Sequence, residues 1–138
     1  MATEGKLKLQ PYLYFDGDCR AAMDLYREVL GGEILTMMTY GEAPPGLAGP
    51  EWQDRILHAT LRIGDQELAG SDAPPGRYQP PAGFDVTIAL DDLDEAKRVF
   101  DALSEGGSVT MAMQETFWTR GFGMLTDRFG VRWMINCA

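Results

Sequence analysis

The chain has 138 residues, 45% of them apolar, and a formal net charge of −9. That length suits one packed domain or two small halves sharing a core, and so acidic a field repels a phosphate backbone, which excludes nucleic acid as a partner. No run of about 18 apolar residues is present, so no membrane-spanning helix is expected, and the polar start, Met1-Ala2-Thr3-Glu4-Gly5-Lys6, lacks the hydrophobic stretch of a signal peptide.

Residues 7–15 are rich in aliphatic and aromatic side chains and read as a strand. Asp16-Gly17-Asp18 breaks it, and Asp18 is placed to cap a helix. In that helix Cys19, Ala22, Met23, Tyr26, Val29 and Leu30 recur at three-four spacing and form one apolar stripe. Gly31-Gly32 supplies a left-handed stop. A strand over 33–39 and a loop rich in Gly and Pro over 40–50 follow. The next strand spans 55–63, with His58, Thr60 and Arg62 on the face opposite Leu57, Ala59, Leu61 and Ile63. Gly64-Asp65 turns the chain into a returning strand at 66–71. Residues 72–81, with four prolines, read as an irregular connector.

The pattern then restarts. Residues 84–90 form a strand, Asp92 with Glu95 resembles a capping box, and Leu93, Ala96, Phe100 and Leu103 make a second helical stripe. Gly106-Gly107 stops it, a strand covers 108–113, and "GMLTDRFGVRWMIN" (123–136) closes the chain as a strand, turn and strand. In the last strand Val131, Trp133 and Ile135 share one face, and Arg132, Met134 and Asn136 the other. At an offset of 75, Leu13, Phe15, Asp16, Gly31 and Gly32 fall on Ile88, Leu90, Asp91, Gly106 and Gly107; Gly64 meets Gly130 at 66. A β-α-β-β-β unit is thus duplicated. The expected fold is α+β: tandem modules (about 7–72 and 84–137) in one domain, forming a curved mixed sheet whose convex face the helices cover and whose concave face encloses a cavity.

On these grounds the chain resembles the vicinal oxygen chelate superfamily, the glyoxalase/bleomycin-resistance/dioxygenase fold, and within it the PhnB-like branch. The stretches that carry the resemblance are "PYLYFDGDCRAAMDLYREVLGGEI" (11–34), "ILHATLRIGDQELAGSD" (56–72) and "FWTRGFGMLTDRFGVRWMIN" (117–136). Members of the branch are often labelled as resembling 3-demethylubiquinone-9 3-methyltransferase. No glycine-rich loop follows a strand here, as a nucleotide-like methyl donor would need. The resemblance implies a homodimer and, for the enzymes, a divalent metal held by the first and last strand of each half. Through the repeat those places fall on Gln10, Asp85, Leu68 and Met134. A one-residue shift would bring Glu67 in place of Leu68. Leu68 cannot ligate, and a thioether is a poor ligand for a hard cation. The expectation is therefore no metal cofactor; Gln10, Glu67 and Asp85 are the residues that would bind one.

The candidate ligand-binding residues are Tyr12, Tyr14, His58, Phe117, Trp118, Arg132 and Met134. His58 is the single histidine, a ligand contact or general base if it faces the cavity, or a strand residue with a structural hydrogen bond. Phe117 and Trp118 suit a small-ligand pocket or plain apolar cover. Arg132 would hold an anion or pair with Asp85 or Asp127. Tyr12 and Tyr14, on the face of Gln10, would be cavity walls or dimer contacts. No catalytic residue emerges. Two cysteines, Cys19 and Cys137, are too few for a disulfide framework, and Cys19 reads as core filling. The expected compartment is the cytoplasm, where thiols stay reduced. The favoured function is a metal-free small-molecule binding protein without a membrane or nucleic-acid partner. The alternatives are a metal-dependent lyase, transferase or dioxygenase, and a structural dimer with a vestigial cavity.

Overall fold

The structure, a computed structural model, describes residues 7–46 and 48–138. The polar start at 1–6 and Leu47 of the proline-rich loop lie outside the described residues. The order is β1 (Tyr12–Phe15), α1 (Cys19–Leu30), β2 (Glu33–Thr39), β3 (Ile56–Ile63), β4 (Gln66–Asp72), β5 (Val86–Leu90), α2 (Leu93–Ser104), β6 (Ser108–Gln114), β7 (Gly121–Thr126) and β8 (Arg132–Cys137). Two short 3-10 turns, Tyr40–Glu42 and Pro50–Trp52, punctuate the long loop. Among the described residues no helix is long and apolar enough to cross a membrane.

The strands hydrogen-bond as two four-stranded sheets, β1-β4-β3-β2 and β5-β8-β7-β6. In each, the first pair is parallel and the rest antiparallel, so the α+β reading with tandem β-α-β-β-β modules holds. The chain divides into two compact units with the main break at Gly76–Arg77, Glu28–Leu30 at the end of α1 grouping with the second.

In the first unit Cys19, Ala22, Met23 and Tyr26 of α1 are buried, with Leu13, Phe15, Ala59, Leu61 and Leu68 of the sheet. A Cβ on Gly70 would stand 3.0 Å from the Met23 Cε. The helix therefore covers the sheet face that carries Gly70. The reverse face, away from α1, carries Tyr12, Tyr14, His58, Thr60, Arg62 and Glu67. In the second unit Ala96, Val99, Phe100 and Leu103 of α2 meet the face of Leu125, Trp133 and Ile135, and a Cβ on Gly123 would stand 2.6 Å from the Phe100 ring. Val131, Trp133 and Ile135 are buried and Arg132, Met134 and Asn136 half-buried, as the alternation predicts.

Three local expectations change. β1 starts at Tyr12, not at residue 7. Pro11 has no N–H to give a ladder, and only its carbonyl pairs, accepting from Ala69 N at 3.0 Å. Asp18 does not cap α1 with its side chain. Asp72, 1% exposed, does so from the end of β4: its Oδ1 accepts from Gly17 N at 2.9 Å and Cys19 N at 3.0 Å, and its Oδ2 from Ile56 N at 2.8 Å. Asp92 does cap α2, accepting from Glu95 N at 3.1 Å, but Glu95 turns to Arg98 at 2.7 Å instead of completing the box.

The ladders also correct the repeat alignment. Tyr12 pairs with Ala69, and Thr87 with Met134. Since Tyr12 and Thr87 are repeat partners at 75, the last strands align at 65, because 134 − 69 = 65. Aligning the turn glycines misses this, because the second hairpin turn is longer than the first. A one-residue slip moves each side chain to the other face. Leu68 is therefore the partner of Trp133, both in the core, and not of Met134. Glu67 is the partner of Arg132.

Candidate functional site

On the open face of the first sheet Tyr12 is flanked by two rings. Its centroid lies 5.1 Å from Tyr14 and 5.8 Å from His58, with the Tyr12 and His58 planes within 21° of parallel. The Tyr12 hydroxyl is 3.2 Å from His58 Nδ1. The strands dictate this: β1 and β4 are parallel with Tyr14 opposite Ser71, and β3 carries His58 opposite Met38 of β2. Burial raises the pKa of the Tyr12 phenol, and a hydrogen bond with Ser71 works the other way without cancelling it. The sequence-derived candidates Tyr12, Tyr14 and His58 are thus brought together.

At the start of the same face Gln10 Nε2 donates to Glu67 Oε1 at 2.9 Å, and Lys8 Nζ lies 2.8 Å from Glu67 Oε2. The hydrogen bond from Lys8 leads in holding the Glu67 carboxyl below its usual range. In the second unit the equivalent pair is Asp85 and Arg132, joined at 2.8 Å with the Asp85 side chain 9% exposed. Of the two partners open to Arg132, Asp85 is the one it takes. Asp127 is instead buried, accepting from Phe129 N, Val131 N and Trp133 Nε1.

The donor set does not fit a divalent cation. Glu67 and Asp85 each hold a protein cation, Leu68 is in the core, and Met134 offers a soft thioether that accepts from Thr87 Oγ1 at 3.7 Å. Among the described residues no group of three or more His, Cys, Asp or Glu is placed to hold a metal ion.

Phe117 and Trp118 stand edge to face at 4.9 Å, and Trp118 packs on Phe122 at 5.5 Å. Phe117 is 97% and Trp118 56% exposed. Phe122 pairs with Asn136, at the opposite end of β8 from Arg132. Four residues of strand separate the two places by roughly 13 Å. These aromatics therefore do not join Arg132 in one constellation. Asn136, singled out only as a member of the β8 face, has a buried Oδ1 with no hydrogen-bond partner among the described residues. Asn136→Leu is accordingly expected to raise stability by about 1 kcal/mol, read as a higher thermal midpoint. An unchanged or lower midpoint would mean that this oxygen has a partner in solution.

Cys19 is fully buried, and its thiol is pushed up to about 12 by burial first and by the nearby Asp72 carboxylate second. That suits core filling and not nucleophilic chemistry. Sequence reasoning named Asp85 as a partner open to Arg132 but missed the pairing of Glu67 with Lys8, since Lys8 carries no motif and its meeting with Glu67 depends on register.

The sequence pattern of the Glyoxalase/Bleomycin resistance protein/Dioxygenase superfamily matches residues 8–135. The chain belongs to that superfamily. It is 40% identical to Protein YjdN of Escherichia coli K12, over 94% of this chain and 95% of that one. The crystal structure of protein PA1353 from Pseudomonas aeruginosa is 44% identical, with a TM-score of 0.89 over 96% of this chain and 98% of that chain. A Bacillus cereus structure described as a putative 3-demethylubiquinone-9 3-methyltransferase, PhnB protein, is 24% identical, with a TM-score of 0.78 over 96% of this chain and all of that one. That last likeness is one of fold.

Proposed function

We propose that this superfamily member is a small-molecule binding protein that works without a metal ion. The observation that carries the reading is the neutralisation of both candidate ligand acids inside their own units, Glu67 by Lys8 and Asp85 by Arg132. A divalent ion would have to displace a cation already in place at each carboxylate, and the place equivalent to Glu67 in the second unit holds Arg132, itself a cation. The half-exposed rings of Tyr12 and His58 supply apolar surface with a few polar atoms, the composition of small-molecule sites.

Calorimetric titration of metal-stripped protein with Zn²⁺, Ni²⁺, Mn²⁺ and Mg²⁺ tests this. The expected result is no binding at micromolar concentrations. Micromolar or tighter binding that Asp85→Ala abolishes would overturn the reading and favour a metal-dependent lyase, transferase or dioxygenase.

A further inference from the structure

Binding without a metal leaves the ligand's chemistry open, and the open face of the first sheet narrows it. The charges on the strands of this face are matched: Glu67 by Lys8 at 2.8 Å and Glu33 by Arg62 at 2.7 Å. Among the described residues of this face a charged ligand would find no free counter-charge and would have to break one of these pairs. Both pairs lie in one row at one end of the face, where Glu67 is opposite Arg62; further along the strands stand the rings of Tyr12, Tyr14 and His58, with Met38 in register beside His58 and 41% exposed. A thioether beside aromatic rings is a soft surface that adapts to a flat molecule.

The polarity of the centre turns on one hydrogen bond. The contact allows either direction, set by the imidazole tautomer; in the Nε2–H tautomer the Tyr12 hydroxyl donates and His58 Nδ1 accepts. Among the described residues Nε2 has no partner. In that tautomer the face presents one oriented N–H beside two tyrosine rings.

We infer that the Tyr12, Tyr14 and His58 cluster binds an uncharged, flat aromatic molecule that carries one hydrogen-bond acceptor, received by the Nε2–H of His58. The inference rests on the small-molecule reading and specifies its ligand. Stacking on the tyrosine rings supplies the contact area, and the Nε2–H selects the acceptor.

The protein has a single histidine, so its imidazole ¹⁵N signals are unambiguous. Long-range ¹H–¹⁵N spectra at pH 8 should show the Nε2–H tautomer, and Tyr12→Phe should populate both tautomers. Quinoline, a neutral acceptor at that pH, should shift the His58 nitrogens and bind about five-fold more weakly to Tyr12→Phe. N-methylquinolinium, of similar shape but cationic and without the acceptor lone pair, should bind at least about ten-fold more weakly than quinoline. An Nδ1–H tautomer in the free protein, or quinoline binding indifferent to Tyr12→Phe, would sink the inference. If N-methylquinolinium or the anion 2-naphthoate moves His58 and quinoline does not, the protein binds small molecules and only the ligand class is wrong. If no probe moves His58, both readings fall. A dimer in sedimentation that Tyr14→Arg dissociates, together with silence from quinoline, would assign the face to a second copy of the chain instead.

Discussion

Asp72→Ala is expected to destabilise the first unit by about 3–5 kcal/mol, enough to leave little folded protein at moderate urea. The carboxylate is 1% exposed and receives three backbone N–H groups, from Gly17, Cys19 and Ile56. Removing it leaves the buried N–H groups of Cys19 and Ile56 and the part-buried N–H of Gly17 without partners, and each lost buried partner costs about 1–3 kcal/mol when water cannot replace it. Water entering the space left by the carboxyl would recover part of that. The N-terminus of α1 also loses its anion. Asp72→Asn keeps the volume but exchanges one accepting oxygen for a donor, which faces either Ile56 N or the pair Gly17 N and Cys19 N. Its loss should fall between wild type and alanine. Urea unfolding followed by far-ultraviolet circular dichroism measures both. If Asp72→Ala unfolds at the wild-type midpoint, Asp18 caps α1 after all, and Asp72 does not hold the helix start.

The second large effect lies at the glycine pairs that end each helix. Gly31 and Gly106 have φ of +76° and +78°, a left-handed conformation that costs an L-residue about 1–2 kcal/mol. Gly32 and Gly107 do not need that freedom. They need the absence of a Cβ. A Cβ on Gly32 would stand 2.5 Å from the Arg62 carbonyl oxygen, and one on Gly107 would collide with the Thr126 carbonyl oxygen and with the backbone of Asp127. Backbone in a sheet ladder cannot step aside as a side-chain tip can. Gly107→Ala is therefore expected to cost about 3 kcal/mol, the upper part of the usual overpacking range, and Gly106→Ala clearly less. Urea midpoints with unchanged m-values would show the order directly. A Gly106→Ala loss equal to or larger than that of Gly107→Ala would mean that the strand shifts freely, and the close-approach explanation would fail.

These positions show which parts of the molecule were legible in the residues. The glycine pairs, the two helical stripes and the alternation in β8 are local signals, and each element they predict is present. The duplication followed from their order, and the superfamily followed from the duplication and the motif stretches. The alignment of the last strands was off by one, because the repeat was matched at turn glycines while the hydrogen-bond ladders set the true register. That single residue decides whether Leu68 is matched with Met134 or with Trp133.

Spacing along the chain by itself determined the helices, the strands, their faces and the repeat, because burying an apolar stripe demands a period that neighbours in sequence can satisfy. Only the tertiary structure decided that Asp72 caps a helix from 53 residues away, that Lys8 and Arg132 hold the two acids, and that Tyr12 reaches His58 from another strand. Each of these is a polar contact between distant segments. Its partner is chosen by register and by which groups burial would otherwise leave unsatisfied, and neither is written in the periodicity of any one segment.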